Sequence, residues 1–298
     1  MPHVRAVGRL APTVNDEVLR DLVTQAIAGD AAALENLVRH LATPVYNLAL
    51  RMLWHPEDAE DASQEILVRI VTGLGSFRGE SAVTTWSYRI AVNHLLTMRR
   101  RRFESMSLSF EAHAQDLAEG LDTPVPAGLG IEDAVLEREV KVGCTHAMLL
   151  CLDRDARVAF ILGAVFDVPA KEAAGLCGVS AATFRKRLSR ANAAIRSHMG
   201  HYCGLVNDGA ACRCSRRVGA AIRLERITPG HLNFAGSDTD ADLVRHGVEE
   251  MEQLHDASAV FHGAPSYRAP DRLAEGVKSL LGSRRWTVLE DSRGDRHK

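Results

Sequence analysis

The stretch Pro169-Ala170-Lys171-Glu172-Ala173-Ala174-Gly175-Leu176-Cys177-Gly178-Val179-Ser180-Ala181-Ala182-Thr183-Phe184-Arg185-Lys186-Arg187-Leu188-Ser189-Arg190-Ala191 decides how this chain folds. Its first eight residues form a short helix headed by proline, Cys177-Gly178-Val179 is a turn, and Ser180 caps a second helix from Ala181 to about His198. Within that second helix Phe184, Leu188, Ala191 and Ile195 recur at spacings of four, three and four, which is one apolar face of a 3.6-residue period. The opposite face holds Arg185, Lys186, Ser189 and Arg190, flanked by Arg187 and Arg196, and no acidic residue lies between Ser180 and Met199. Such a helix fits a major groove, where guanidinium groups pair with guanine edges or hold phosphates. A basic solvated helix is the plainer reading, and the turn ahead of it weakens that reading.

Outward from this helix-turn-helix the chain stays helical. Residues 131 to 166 read as two helices, one through Val140 and Leu149 and one from Asp153 to Phe166. Upstream of them, from Phe103 to about Gly130, periodicity is lost and Ser, Glu, Asp, Pro and Gly accumulate, so this is expected to be an extended, mobile linker. Before the linker, apolar residues recur helically from Asp16 to about Leu53, with a break at Gly29-Asp30. His55-Pro56 opens a further helix whose first turn is acidic and whose stripe is Ile66, Leu67, Ile70, Val71 and Leu74, leaving Asp58, Asp61, Glu65 and Arg69 outward. Gly73 to Ser81 reads as a loop, and Thr84 or Thr85 caps a helix from Trp86 through Met98 into Arg99-Arg100-Arg101-Arg102.

Trp86, Tyr88, Asn93 and those arginines form a second constellation. Flat side chains can stack on unpaired bases while arginines hold the backbone, so an opened strand is one ligand they suit. The alternative is that Trp86 and Tyr88 are core residues, since aromatics carry much of a small domain's buried area.

The 298 residues suit two or three compact units, and 46% hydrophobic with 25% charged residues is the balance of a soluble globular chain. A net charge of −2 places any nucleic-acid role on local basic clusters. No apolar run approaches a bilayer span and the N-terminus lacks a signal peptide's pattern, so membrane insertion is not expected and the cytoplasm is the expected location. Nothing offers an open metal position beside a general base, nor a glycine-rich phosphate loop, which argues against an enzyme. The stretch from Gly200 to Gly219 is loop-like and bears Cys203, Cys212 and Cys214, which with His198 and His201 just upstream supply enough soft ligands for zinc, His201 being the histidine favoured as the fourth. Thiol redox sensing and incidental cysteines are the alternatives there. Beyond lie two amphipathic segments, Leu243/Val244/Gly247/Val248/Met251/Leu254 and Leu273/Val277/Leu280/Leu281.

The order of these parts resembles a known family. Asp58-Ala59-Glu60-Asp61-Ala62-Ser63-Gln64-Glu65, then Phe77-Arg78-Gly79-Glu80-Ser81, then Thr85-Trp86-Ser87-Tyr88-Arg89-Ile90-Ala91-Val92-Asn93 resembles region 2 of the extracytoplasmic-function (ECF) class of bacterial sigma-70 factors. Leu152-Asp153-Arg154-Asp155-Ala156-Arg157 and the helix-turn-helix resemble region 4. The resemblance covers about residues 16 to 200 and implies an all-α fold: region 2 over 16–103, a flexible linker over 104–130, region 4 over 131–200, and a partly helical C-terminal extension over 201–298. It implies that Asp58, Glu60, Asp61, Gln64 and Glu65 dock on core RNA polymerase. Phe77, Arg78, Trp86, Tyr88, Arg89, Asn93, Arg99 and Arg100 would bind or support the −10 element of promoter DNA, and Arg185, Lys186, Ser189 and Arg190 would read the −35 element. No cofactor is required, promoter opening needs no nucleotide hydrolysis, and an anti-sigma factor is a further candidate partner. Three departures stand out: Ser63 where the family has a larger apolar residue, Phe184 for a common Val, and the unusual Ala170-Lys171-Glu172-Ala173-Ala174. The extension resembles built-in regulators that replace a separate inhibitor. The competing reading is a stand-alone helix-turn-helix regulator with a sensory tail, which leaves the acidic helix and residues 86–93 unexplained.

Overall fold

A computed structural model describes residues 15–99, 108–234, 261 and 267–283. Among them the regular structure is helical and no strand forms, only isolated bridges between Cys203 and Cys212 and between Thr228 and His231. The all-α expectation holds.

The first half begins with α1 (Asp16–Ile27), which buries Leu19, Val23 and Ala26 along one side. Gly29 takes a positive φ of 100°, and Asp30 accepts from the amides of Ala32 and Ala33 at 2.8 and 3.1 Å to start α2 (Ala31–Leu53). Pro56 opens α3 (Pro56–Thr72) at its first turn, where proline's missing N–H costs nothing. Ser63, an oddity by family comparison, is fully buried in α3, and its hydroxyl donates to the Ala59 carbonyl at 2.6 Å, so a polar group enters the core already satisfied. The helix α4 (Val83–Thr97) starts earlier than Thr84 or Thr85 would allow, because its cap is tertiary: the Val83 amide donates to Asp16 Oδ1 of α1 at 2.8 Å.

The second half contains α6 (Asp133–Leu150), α7 (Arg154–Phe160) running into a π-turn at Ile161–Val165, α8 (Ala170–Leu176) and α9 (Ala181–Tyr202). Gly178 turns with a φ of 65° between α8 and α9, and the Ser180 hydroxyl accepts from the Thr183 amide at 3.1 Å. At Gly163 a Cβ would come within 2.6 Å of Leu188 Cδ2, so glycine lets the π-turn seat against the recognition helix.

The two halves share one continuous apolar core. Arg157, 4% exposed, is the nail between them: its guanidinium donates to the carbonyls of Leu149, Leu150 and Leu152 and, across the joint, to Met52 at the end of α2. Trp54 closes α2 with a φ of 70°, and its indole N–H donates to the Gly143 carbonyl at 3.0 Å. Arg154 caps the other seam by donating to the carbonyls of Leu96 and Met98 at the end of α4.

Two expectations are corrected here. The linker is not extended throughout: Phe110–Glu119 form α5, capped by Ser109 and burying His113, Ala114 and Leu117. The cysteine-bearing stretch after residue 200 is not all loop, since α10 (Cys214–Arg223) begins within it. The reason is tertiary. Val218 and Ala221 of α10 pack with Leu136 and Val140 of α6, and α5 lies against α9. Asp116 of α5 also receives Arg217 of α10 and Arg226, with N–O distances of 2.7 to 2.9 Å. Gly219 presents bare backbone to the Thr123 carbonyl, which a Cβ would strike at 1.9 Å. Each segment is helical because distant elements cover it. The last described helix, α11 (Asp271–Ser283), buries Leu273 and Val277 and packs on α3 and α2. The amphipathic segment expected at 243–254 lies outside the described residues.

Candidate polymerase and nucleic-acid interfaces

The recognition helix α9 carries its sequence pattern into space directly. Phe184, Ala191 and Ile195 are buried and Leu188 is partly so, which fixes the helix by its apolar edge. Arg185, Lys186, Ser189 and Arg190 are all exposed on the other edge. Arg187 is turned back, its Nη2 2.9 Å from Asp155 Oδ2, and so does not belong to that face. Four exposed donors on one side of a helix capped at its N-terminus form a surface for a duplex groove and its phosphates.

The second candidate constellation is built by α1 as much as by α4. Arg20 bonds Asp16 Oδ2 at 2.7 Å and donates to the carbonyls of Gly79 and Ser81 at 3.1 and 2.7 Å, which pins the loop from Phe77 to Ala82. The Arg20 guanidinium also lies 5.7 Å from the Phe77 ring, and Phe77 meets Trp86 at 5.4 Å between centroids. Trp86, Arg89 and Asn93 follow at helical spacing on α4, with Arg89 and Asn93 exposed and Trp86 partly so; Arg78 and Arg99 are exposed beside them. The two flat side chains therefore part company. Trp86 is half-buried at the edge of the core, whereas Tyr88 is 5% exposed within it, its hydroxyl pushed well above the ordinary tyrosine range by burial. Tyr88 can support the site but cannot touch a base. Arg99 follows the end of α4 rather than forming its last turn, and Arg100 lies outside the described residues. Neither Asp16 nor Arg20 was singled out from the sequence, because their partners lie about sixty residues away and no periodicity links them.

The acidic helix α3 exposes Asp61 and Glu65, and half-buries Asp58, Glu60 and Gln64. Glu65 Oε2 is 3.3 Å from His94 Nε2. Glu60 is occupied from outside α3: Arg272 of α11 donates to both its oxygens, at 2.6 and 2.5 Å. One turn on, a Cβ at Gly276 would stand 2.6 Å from Gln64 Nε2, so α11 lies close along this face. A side-chain clamp leads α11 there, since the Asn47 amide of α2 donates through Nδ2 to the Tyr267 carbonyl at 2.7 Å and accepts through Oδ1 from the Tyr267 N–H at 2.9 Å. Helix α4 is also neighboured, with Thr85 Oγ1 donating to Glu172 of α8 at 3.3 Å.

The soft ligands gather differently from the sequence expectation. His201 is exposed, with Nδ1 2.6 Å from the Ser197 carbonyl, and is no part of the cysteine cavity. His113, His198 and Cys144 are part of it, beside Cys203, Cys212 and Cys214. Burial raises all four thiols, Cys214 to about 12, and lowers His113 to about 4, so the groups are neutral at pH 7.

Comparison with known proteins agrees with this geometry. The family described as Sigma-70 region 2 matches residues 37–103, and Sigma-70, region 4 matches residues 143–195. The chain is 28% identical over 183 residues to the RNA polymerase sigma-H factor of Pseudomonas aeruginosa, covering 59% of this chain and 91% of that protein. It is 30% identical over 195 residues to the ECF RNA polymerase sigma-E factor of Haemophilus influenzae, covering 63% of this chain and 97% of that protein. A solved structure, CnrH in complex with the cytosolic domain of CnrY, matches at 24% identity and a TM-score of 0.40, covering 59% of this chain and 93% of that one. Region 2 accounts for the half that a stand-alone regulator leaves unexplained. With both regions present in order, and nearly all of the Haemophilus protein spanned, the chain belongs to the ECF sigma factors of the sigma-70 family, which bind core RNA polymerase, recognise the −35 and −10 promoter elements and help to open the promoter.

Proposed function

We propose that this sigma factor carries its own restraint, and that the last described helix of its extension competes with core polymerase for α3. In this reading Asp58, Glu60, Asp61, Gln64 and Glu65 dock on polymerase. Phe77, Arg78, Trp86, Arg89, Asn93 and Arg99 capture the unpaired −10 strand on a surface held by Arg20, and Arg185, Lys186, Ser189 and Arg190 read the −35 duplex. The chain contributes binding alone, with RNA synthesis left to the polymerase, and works in the cytoplasm; no described helix is long and apolar enough to cross a membrane. An anti-sigma factor is a further candidate partner.

The observation that carries the reading is the Arg272–Glu60 pair, which spends a polymerase-facing carboxylate on the chain's own tail. The test is a fluorescence titration of full-length protein against core polymerase without DNA. Arg272→Glu combined with Gly276→Trp places like charge against Glu60 and bulk against Gln64, and should lift α11 from α3. We expect binding at least about fivefold tighter, equal to about 1 kcal/mol. An unchanged Kd, with α3 still able to bind polymerase, sinks the restraint.

A further inference from the structure

The recognition helix is longer than the region 4 it belongs to. The family match ends at residue 195, whereas α9 runs on to Tyr202. Its last turns are covered from one side: His198 is 5% exposed and Met199 fully buried, and the His198 ring meets Phe110 and His113 of α5 at 5.2 and 5.0 Å between centroids. His113 Nδ1 lies 2.9 Å from His198 Nε2, which ties α5 to this end of the helix. Tertiary cover of this kind keeps the end of a helix from fraying.

The open side of the same turns carries one more cation. Arg196 is exposed, and at about 100° per residue it falls within about 20° of both Arg185 and Ser189 around the helix. Ser197 and His201 are exposed beside it. No acidic residue lies between Ser180 and Met199, and among the described residues Arg196 has no ion-pair partner, whereas Arg187 is held by Asp155. Nor does Arg196 serve the negative end of the helix, since that attraction falls off within the last turn and Arg196 precedes it. Distance decides what this guanidinium can meet on DNA. At 1.5 Å per residue it stands about 16 Å along α9 from Arg185. The major groove is about 12 Å wide, so with Arg185 and Arg190 at base edges Arg196 has passed the groove and is level with a phosphate strand.

We propose that Arg196 holds a backbone phosphate of the duplex flanking the −35 element, so that α9 grips DNA beyond the bases it reads. The proposal rests on the reading of α9 as the −35 reader and adds a contact outside the four residues of that reading. A guanidinium on a phosphate fixes register and releases a counterion without sensing base identity. Helix α5 takes part indirectly, because it fixes the stretch of α9 that carries Arg196.

The experiment titrates a fluorescent promoter duplex with full-length protein assembled on core polymerase, at several salt concentrations. Arg196→Ala should weaken binding most at low salt. The deficit should shrink about threefold between about 50 and 200 mM salt, because one lost phosphate contact lowers the salt slope by about 0.9. The loss should be the same on promoters with altered −35 bases, and Arg196→Lys, which keeps the charge, should retain the wild-type slope. A second measurement changes the DNA instead: an uncharged methylphosphonate linkage, moved along the phosphates flanking the −35 element, should find one position that weakens the wild type and leaves Arg196→Ala as it was. Wild-type affinity and slope in Arg196→Ala, with Arg185→Ala or Arg190→Ala impaired, overturn the phosphate contact and leave the −35 reading standing. Wild-type binding in all three variants overturns the −35 reading and this contact with it. A loss that follows the −35 bases makes Arg196 a reader of sequence, and weaker core binding without DNA makes it a polymerase contact; either result overturns the proposal.

Discussion

The recognition helix α9 and the acidic helix α3 are both amphipathic and both easy to find in the sequence, yet they are in opposite states. On α9 the four polar residues of the outer face are exposed. On α3, Glu60 is held by Arg272 and Gln64 lies under Gly276. The difference shows that a polar outer face does not say whether it is free: α9 faces solvent, and α3 faces a helix more than two hundred residues later in the chain. Under the proposed restraint, this asymmetry would leave the duplex-reading surface ready and place control on polymerase docking.

Three perturbations probe that contrast. The largest acts on the joint that gives both helices one core. Arg157→Ala strips the donor from four carbonyls, three at the α6–α7 turn and one at the end of α2, and should cost about 3 kcal/mol or more, since each buried unsatisfied group costs about 1 to 3 kcal/mol. Urea denaturation checks this, and it should also yield a lower m-value or a second transition if the halves then unfold apart. Next, Arg185→Ala or Arg190→Ala should weaken promoter binding by the polymerase complex by about 1 to 3 kcal/mol while core binding stays as it was. Loss of core binding in either variant would mean that the open face of α9 is not a DNA surface alone. The smallest effect belongs to Arg272→Ala. Its side chain is 72% exposed, so the pair with Glu60 is worth about 0.2 to 1 kcal/mol. Core affinity should rise by less than about fivefold, and raising the salt concentration should erase the gain.

What could be read in advance followed from local chemistry. Pro56 and Ser180 marked helix starts, and the 3.6-residue spacing of Phe184, Leu188, Ala191 and Ile195 assigned one face of α9 to the core. The same spacing correctly placed Leu273 and Val277 on a helix, though not what that helix covers. Local reasoning failed where a helix depended on a distant partner. α5 and α10 were read as linker and loop because what covers them is distant in the chain: α10 packs on Leu136 and Val140 of α6, α5 lies on α9, and Asp116 meets Arg217 and Arg226 a hundred residues on. Trp86 and Tyr88, two residues apart, differ in burial, the first half-buried at the edge of the core and the second inside it, which composition does not resolve.

The amino-acid order alone determined the helical class, the helix-turn-helix and its basic face, because propensity, capping and periodicity act within a few residues of one another. Only the tertiary structure decided that Asp16 caps α4, that Cys144 rather than His201 joins the other cysteines, and that α11 lies over α3. Those are contacts between residues tens to hundreds of positions apart, and they exist only once a shared core has offset the entropy of bringing such segments together.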